Sequence, residues 1–451
     1  MCPAIIKRKK LMMKISRFTI VIPEAKNNFL LACTVTKAVA RFTADSFEDL
    51  KRGDRENLSE LTEKEFDTCV EMGFLVPKEL NEGNFLFYWL TKDRLNPEIL
   101  SVYVSFSTKC DFDCIYCCEK GQVLERTMDQ ESIFSLLYWL ESKLDNGNFK
   151  TILIYLYGGE PLLQKEMISF FLPKVKELTE KREIVLKLGL VTNGFLLSHD
   201  FVEFLSNFGL SDIHLTIDGP EGVHNSRRPL KKEGEKGSFS KIIENLKSIL
   251  DFSDSININC GISFDRSNIE EIPELLDFLK EEKISDFIKI YFRPISQTLG
   301  QFSNPDSFCS LFSLSDGEIA DGLIFLYSEA KKRSFPISSF FSLGPCMIIA
   351  EGACVIAPDG KIYKCLNMID CEKLSIEDVK EEKSSPIFYD FMVAKQLQWC
   401  LFNTSCPFVP VCSGGCLMES FVKNGNISEV ICHREMMEKI YRVLIPLCFN
   451  S

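Results

Sequence analysis

The sequence predicts an α/β fold built from parallel βα units, preceded by a small β-rich domain and followed by a cysteine-rich extension. Three observations carry that expectation. From 101 to 295, short β-prone apolar runs alternate with longer stretches of helical periodicity, the pattern of parallel strands crossed over by helices. Each of the first four strand-like runs ends in a polar or glycine-rich motif, and in parallel α/β barrels the active site gathers at the C-terminal ends of the strands. The 19 cysteines concentrate in two places, 110–118 and 346–432.

Composition narrows the function. With 451 residues, 45% hydrophobic and 26% charged, the chain has room for two or three domains. A net charge of −12 gives no broad positive field to collect phosphates, so a general nucleic-acid binder is excluded. The basic run at 7–10 (KRKK) precedes LMMKISRFTIVIPEA, whose charges interrupt any signal-peptide core, and no apolar run of about 18 residues is long enough to span a bilayer. A cytoplasmic chain without membrane contact is expected. In that reducing compartment the cysteines are metal ligands or core residues rather than disulfides, and with four His available, sulfur-ligated clusters are favoured.

In chain order, 14–45 reads as a β-meander of three short runs, KISRFTIVIPE, NNFLLACTV and KAVARFT. Thr62 to Glu65 forms a capping box, opening a helix that stops at Gly73; FLVPKELNE is then a turn. Six barrel strands are predicted at about 102–106, 151–156, 184–191, 213–217, 255–262 and 287–292. Between them Ile133, Leu136, Leu137, Leu140 and Leu144 recur at helical spacing, as do Ile242, Leu246 and Leu250; these are core positions. A further helix is expected over 316–333.

The chemistry starts where the first barrel strand ends. Cys110, Cys114 and Cys117 are spaced CxxxCxxC, and three thiolates in so tight a loop can take three corners of a [4Fe–4S] cubane and leave the fourth iron open. A zinc knuckle or three core cysteines are the alternatives; zinc sites usually add a second ligand pair, and no His is near. Cys118 points away on extended backbone and is read as packing. After the second strand, Gly158 and Gly159 remove side chains so that backbone can approach a ligand, while Glu160, before Pro161, can accept from an ammonium. Thr192-Asn193-Gly194 ends the third strand, and Thr216 with Asp218-Gly219-Pro220 ends the fourth. Turn chemistry alone also accounts for Asn-Gly and Asp-Gly-Pro.

CxxxCxxC with an aromatic, Tyr116, before the last cysteine resembles the signature of radical S-adenosylmethionine (SAM) enzymes. The resemblance implies a partial (β/α)6 radical SAM barrel in which SAM chelates the open iron and is reductively cleaved to methionine and a 5′-deoxyadenosyl radical that abstracts hydrogen from the substrate. It implies that Tyr116 packs near the adenine, that Gly158, Gly159, Glu160 and Pro161 receive the SAM amino group, that Thr216 contacts the ribose, and that Thr192 and Asn193 edge the same pocket. DGPEGVHNSRRP from Asp218, followed by Gly237-Ser238-Phe239, resembles the DGP…H…RP…GSF segment of the SPASM-type subgroup. There His224 is structural, and Arg228 is suited to steering a carboxylate by a bidentate pair.

The C-terminal cysteines resemble the same subgroup. Cys346, thirteen residues, Gly360, four residues and Cys365 match the SPASM opening, with Pro358-Asp359-Gly360 turning a hairpin between CVIA and KIYKC. Cys406, Cys412 and Cys416 follow as Cx5Cx3C, and Cys432 closes the set. The pattern expects one more cysteine at Asn403, a departure that bears on the second auxiliary cluster; Cys400 is the substitute. The family's wiring implies one cluster on Cys346, Cys365, Cys416 and Cys354, and another on Cys406, Cys412, Cys432 and Cys400. The resemblance therefore implies one or two auxiliary clusters, most simply [4Fe–4S], beside the SAM cluster. The remaining cysteines, among them Cys2, Cys33, Cys69, Cys260, Cys309, Cys371 and Cys448, are core or surface thiols.

The expected domains are a winged-helix-like peptide-recognition element at 1–97, the radical SAM partial barrel at 98–310 and the SPASM extension at 311–451. The first resembles the element that holds a leader peptide as an extra strand on its sheet edge. The implied function is maturation of a ribosomally made precursor peptide by a thioether, C–C or C–O cross-link, with a flavodoxin- or ferredoxin-type electron donor. No catalytic base is assigned. Sulfatase-maturase-like oxidation is the alternative, but its Asp after the cysteine matching Cys365 is Leu366 here. A small-molecule radical SAM enzyme shares every barrel motif, and a non-catalytic iron–sulfur scaffold leaves the four strand-end motifs unexplained.

Overall fold

The computed structural model describes residues 11–449 except 96, 118–123, 233–236, 296–312, 338–345, 382–383 and 394. Six parallel strands form its centre: β6 (Ile99–Ser105), β7 (Thr151–Tyr157), β8 (Val185–Val191), β9 (Leu210–Thr216), β10 (Asn257–Phe264) and β11 (Ile288–Pro294), each paired with the next. All six match the runs expected from sequence to within three residues. Ile133, Leu136, Leu137, Leu140 and Leu144 are buried on the Gln130–Asn146 helix, and Ile242 and Leu246 on the Phe239–Lys247 helix.

Strand alternation sorts the two faces of this sheet. Ile152, Ile154 and Leu156 of β7 are fully buried under the helices, each contributing about 1.5–3 kcal/mol of burial. The other, concave face carries large polar aromatics: Tyr103 stacks on Tyr155 at 4.4 Å, and His214 lies within 6.3 Å of Tyr155 and 6.1 Å of Tyr291. Gly189 is needed there, because a Cβ on it falls 2.2 Å from the Tyr155 ring.

The sheet continues past β6 into the cysteine-rich region. β12 (Ala353–Ile356) lies parallel to β6 and forms a hairpin with β13 (Lys361–Tyr363), which pairs with β14 (Glu377–Asp378), giving nine strands in the order β11-β10-β9-β8-β7-β6-β12-β13-β14. The hairpin is where the sequence puts it. Its parallel seat on the barrel edge has no sequence signal.

The N-terminal unit departs from a simple meander. β2 (Thr19–Pro23), β3 (Phe29–Cys33) and β4 (Val39–Phe42) form an antiparallel sheet, but the first expected run is cut in two. Buried Glu82 accepts from Ser16 Oγ (2.5 Å) and Arg17 N (3.1 Å), fixing a turn there. β1 (Met13–Ile15) therefore swings away and pairs antiparallel with β5 (Leu75–Pro77), a segment expected to be turn. The Glu63–Glu71 helix has its capping box, with Glu65 N on Thr62 Oγ1 and Thr62 N on Glu65 Oε2. One sheet face packs on the Arg434–Phe449 helix through Ile20, Ile22, Tyr441 and Ile445.

Candidate active site

The C-terminal ends of the barrel strands surround a cleft of about 390 Å³. Cys110, Cys114, Tyr116 and Cys117 form one of its walls. The loop carrying them is held by backbone, not by the cysteines themselves: Asp113 N donates to Pro229 O, Ile115 N to Arg227 O, and Lys231 N to Asp111 O, at 2.8–2.9 Å. Segment 227–231 thus shapes the loop before any cofactor arrives. Cys118 lies outside the described residues.

Gly158 and Gly159 line the cleft, and the reason for glycine is sharper than ligand access alone. Gly159 N donates to Ser107 O and Glu160 N to Lys109 O, so the end of β7 rides directly on the start of the cysteine loop. A Cβ on Gly158 meets Ser107 O at 2.3 Å, and one on Gly159 meets Lys109 O at 2.3 Å. Gly158 also has φ +138, which disfavours any side chain.

Glu160 is fully buried and turned away from the cleft, behind the glycines, with Pro161. Its carboxylate accepts from Thr192 Oγ1 (2.8 Å), Asn193 N (2.7 Å) and Leu162 N (3.0 Å), which uses three of about four acceptor sites. Burial raises its pKa to about 7 against those three bonds. It locks the ends of β7 and β8 together. Asn193 in turn donates to Asp111 Oδ1 (2.7 Å), tying β8 to the cysteine loop, while buried Asp111 Oδ2 has no partner.

A second polar hub closes the other side. Asp218 is buried; its Oδ1 accepts from Ser263 N (3.0 Å) and its Oδ2 from the Tyr116 hydroxyl, which also accepts from Arg228 Nη1 (2.7 Å). Tyr116 is held by its hydroxyl, with the Arg227 guanidinium 5.1 Å from its ring centroid. Buried Arg228 lies in the field of the Cys114 thiol, which raises its pKa despite desolvation, and its Nε has no protein partner. His224 has the structural role expected: Nδ1 meets Asp218 N and Nε2 meets Ser238 Oγ, and burial lowers its pKa to about 3, so it is neutral.

These residues fit a [4Fe–4S] cluster with SAM. Among the described residues no three His, Cys, Asp or Glu side chains converge on one point as a single ion requires. The three thiols instead share one cleft, and no fourth described cysteine lines it. Gly158, Gly159 and Arg228, whose buried Nε has no protein partner, line the same cleft. The family model described as the radical SAM superfamily matches residues 104–279, and the GTP 3′,8-cyclase of Helicobacter pylori is 30% identical over 312 residues, covering 64% of this chain and 89% of that relative. The chain belongs to the radical SAM superfamily. It is therefore an enzyme, and its cofactors are a [4Fe–4S] cluster and SAM.

Several other curated relatives match a smaller share of the chain. The GTP 3′,8-cyclase of Campylobacter jejuni is 27% identical over 195 residues, 42% of this radical SAM chain, and the chain spans 55% of that relative's length. Among solved structures, anSMEcpe with bound AdoMet and Cp18Cys peptide shares the fold with a TM-score of 0.59 at 18% identity, covering 78% of this chain and 99% of that one. Streptococcus suis SuiB bound to precursor peptide SuiA has a TM-score of 0.53 at 14% identity, covering 94% and 100%.

The C-terminal cysteines of this radical SAM enzyme fall into two groups. Half-buried Cys365 has Cys346 and Cys416 as neighbours, and desolvation pushes its pKa up to about 12. Cys400, likewise pushed up to about 12 by burial, has Cys412, Cys432 and Cys406 around it. Cys354 is not brought to the first group: it faces Lys364, Lys143 and Glu377 and lines a separate cleft beside Trp139. His433 fixes the chain after Cys432 by bridging Asp316 Oδ2 (2.8 Å) and Glu419 Oε2 (2.7 Å). Of the remaining cysteines, Cys33, Cys69 and Cys260 are buried, Cys371 and Cys448 are half-buried, and Cys2 and Cys309 lie outside the described residues.

The structure adds cleft residues that sequence reasoning missed: Tyr157, Ser263, Arg293 and Asn367. The strand-end rule applied to the fifth and sixth strands, as to the first four, finds Ser263 and Arg293. Asn367 had no signal, because it reaches the cleft from the hairpin region, two residues beyond Cys365.

Proposed function

We propose that this radical SAM enzyme matures a ribosomally made precursor peptide, installing a thioether, C–C or C–O cross-link. The observation that carries the reading is the N-terminal unit. Its sheet has two edges: β2 is touched by the C-terminal helix through Arg442 Nη1 on Val21 O (3.4 Å), whereas no described strand pairs with the outer side of β4. An open edge suits a leader peptide added as a strand, with backbone hydrogen bonds giving affinity. The division into a recognition unit at 1–97, a barrel at 98–310 and an auxiliary-cluster unit at 311–451 belongs to this proposal. The fold likeness to SuiB, solved with its precursor peptide, supports it.

In the barrel, Cys110, Cys114 and Cys117 hold the cluster, while Thr192, Asn193, Thr216 and Arg228 orient the polar groups of SAM. The bound cluster and SAM supply reductive cleavage to a 5′-deoxyadenosyl radical that takes a hydrogen atom from substrate. Glu160 and Asp218 act from behind, keeping the strand ends and the cysteine loop in register. The Cys346 and Cys400 groups would hold auxiliary clusters, which would supply an acceptor for the electron released as the cross-link forms, with a flavodoxin- or ferredoxin-type protein as the donor. No carboxylate lines the cleft among the described residues, and Asn367 is neutral, so sulfatase-maturase-like oxidation through a carboxylate base is the weaker reading.

A small-molecule reading is favoured by the GTP 3′,8-cyclase relatives. The two separate in one experiment. The reconstituted full chain, given SAM and reductant, is incubated with a candidate precursor peptide that carries a leader, or with GTP. Loss of two hydrogen atoms from the peptide, dependent on its leader, is expected; GTP consumption with an unchanged peptide overturns the proposal.

A further inference from the structure

We propose that Arg293 anchors an oxyanion of the substrate, a carboxylate or a phosphate, at the barrel mouth. This rests on the reading of the cleft as the site of radical chemistry. Arg293 is the last residue of β11 on the concave face and lines the cleft across from the cysteine loop. Its Nη2 is braced by two neutral hydroxyls, Thr216 Oγ1 at 2.9 Å and Ser263 Oγ at 3.3 Å, both on buried residues. It forms no ion pair with any described carboxylate.

Three arginines near the cleft and the cysteine loop differ in this. Arg227 is paired with Asp265, Arg228 with Asp218, and Arg126 with Asp359 and Asp370. Arg293 is held in place with most of its five donors uncommitted, in a partly exposed position that keeps its charge available. Strand alternation sets Lys289 on the face of β11 that carries Arg293, four residues nearer the start of the strand. Lys289 Nζ is likewise bonded to a neutral partner, Asn257 Oδ1, at 2.6 Å. A protein of net charge −12 thus presents an uncommitted guanidinium to its cleft. The chemistry this recognises is a planar or tetrahedral oxyanion held by a bidentate guanidinium.

The test uses the full chain reconstituted with its cluster and loaded with SAM, titrated calorimetrically with N-acetyl-aspartate amide, with its neutral isostere N-acetyl-asparagine amide, and with pyrophosphate. The expected result is a charged probe binding about 10- to 100-fold tighter than the neutral one, a preference abolished in Arg293→Gln and partly kept in Arg293→Lys. Preference for the aspartate amide identifies an acidic peptide residue; preference for pyrophosphate alone identifies a phosphorylated substrate. Arg293→Gln must weaken the charged probe at least tenfold more than SAM. A wild type without charge preference, or a variant whose loss falls on SAM, overturns the proposal. Failure of the wild type to cleave SAM at all is a separate result, directed at the cleft reading itself.

Discussion

At the scale of single residues, the two motif carboxylates, Glu160 and Asp218, do their work one layer behind the cleft lining. Glu160, whose carboxylate suits an ammonium, spends three acceptor sites on β7 and β8, and Asp218 joins Tyr116 to Ser263. Two predictions follow from that placement. Gly159→Ala sets a Cβ 2.3–2.6 Å from the backbone of Thr108 and Lys109, atoms that cannot rotate away. It should cost about 1–3 kcal/mol or more and lower iron uptake at the three-cysteine loop, read by thermal melting and iron content. Normal melting and full iron would contradict the packing. The second concerns pH. Burial raises the Glu160 carboxyl from 4.5 to about 7, so the folded chain keeps a proton that the unfolded chain has released. That stability is present below about pH 4.5 and is lost as pH rises to about 7, up to about 3 kcal/mol. Glu160→Gln, with nothing to titrate, should flatten this part of the urea-stability profile; parallel profiles would contradict it.

At the scale of elements, regular structure was legible and its seating was not. The six barrel strands, the Gln130–Asn146 helix and the β12–β13 hairpin follow from periodicity and turn residues, which are local signals. The split at Ser16, the pairing of β1 with β5 and the parallel contact of β12 with β6 depend on partners tens to hundreds of residues away. Glu82 gave no warning that it would fix a turn at Ser16. A similar long-range tie is Arg126, just after the cysteine loop: Nη1 lies 2.9 Å from Asp359 Oδ2 and 2.5 Å from Asp370 Oδ1, and Leu124 N donates to Asp370 Oδ2. This pins the hairpin that bears Asn367 against the barrel mouth. Arg126→Ala should raise 5′-deoxyadenosine released per product formed, because the hairpin no longer closes over the cleft, whereas Arg126→Lys should recover part of the coupling. Unchanged coupling in both would sink the idea. In the N-terminal unit, Thr62→Ala removes the capping box and should cost about 1 kcal/mol without touching iron content.

At the scale of the whole molecule, the question is how many clusters the chain carries. The spacing with Asn403 left the second auxiliary group open; the fold sets Cys400, on the Lys395–Asn403 helix, near Cys406, Cys412 and Cys432. Helix geometry explains why: a position three residues earlier returns to nearly the same face, so Cys400 can stand in for a cysteine at 403. The same fold takes Cys354 into β12, away from Cys346, Cys365 and Cys416. Full reconstitution should give about 12 iron atoms per chain, as three four-iron clusters, falling to about 8 in Cys400→Ala and unchanged in Cys354→Ala. Equal iron in Cys400→Ala would remove it from the ligand set, and a loss in Cys354→Ala would restore that residue.

All of this depends on the loop that carries Cys110, Cys114 and Cys117. The direct measurement is 5′-deoxyadenosine, quantified by mass spectrometry after the reconstituted full chain is given SAM and a strong reductant, beside Cys114→Ala prepared identically. The wild type should release it and the variant should not; release by Cys114→Ala at the wild-type level would contradict the assignment of the cleft.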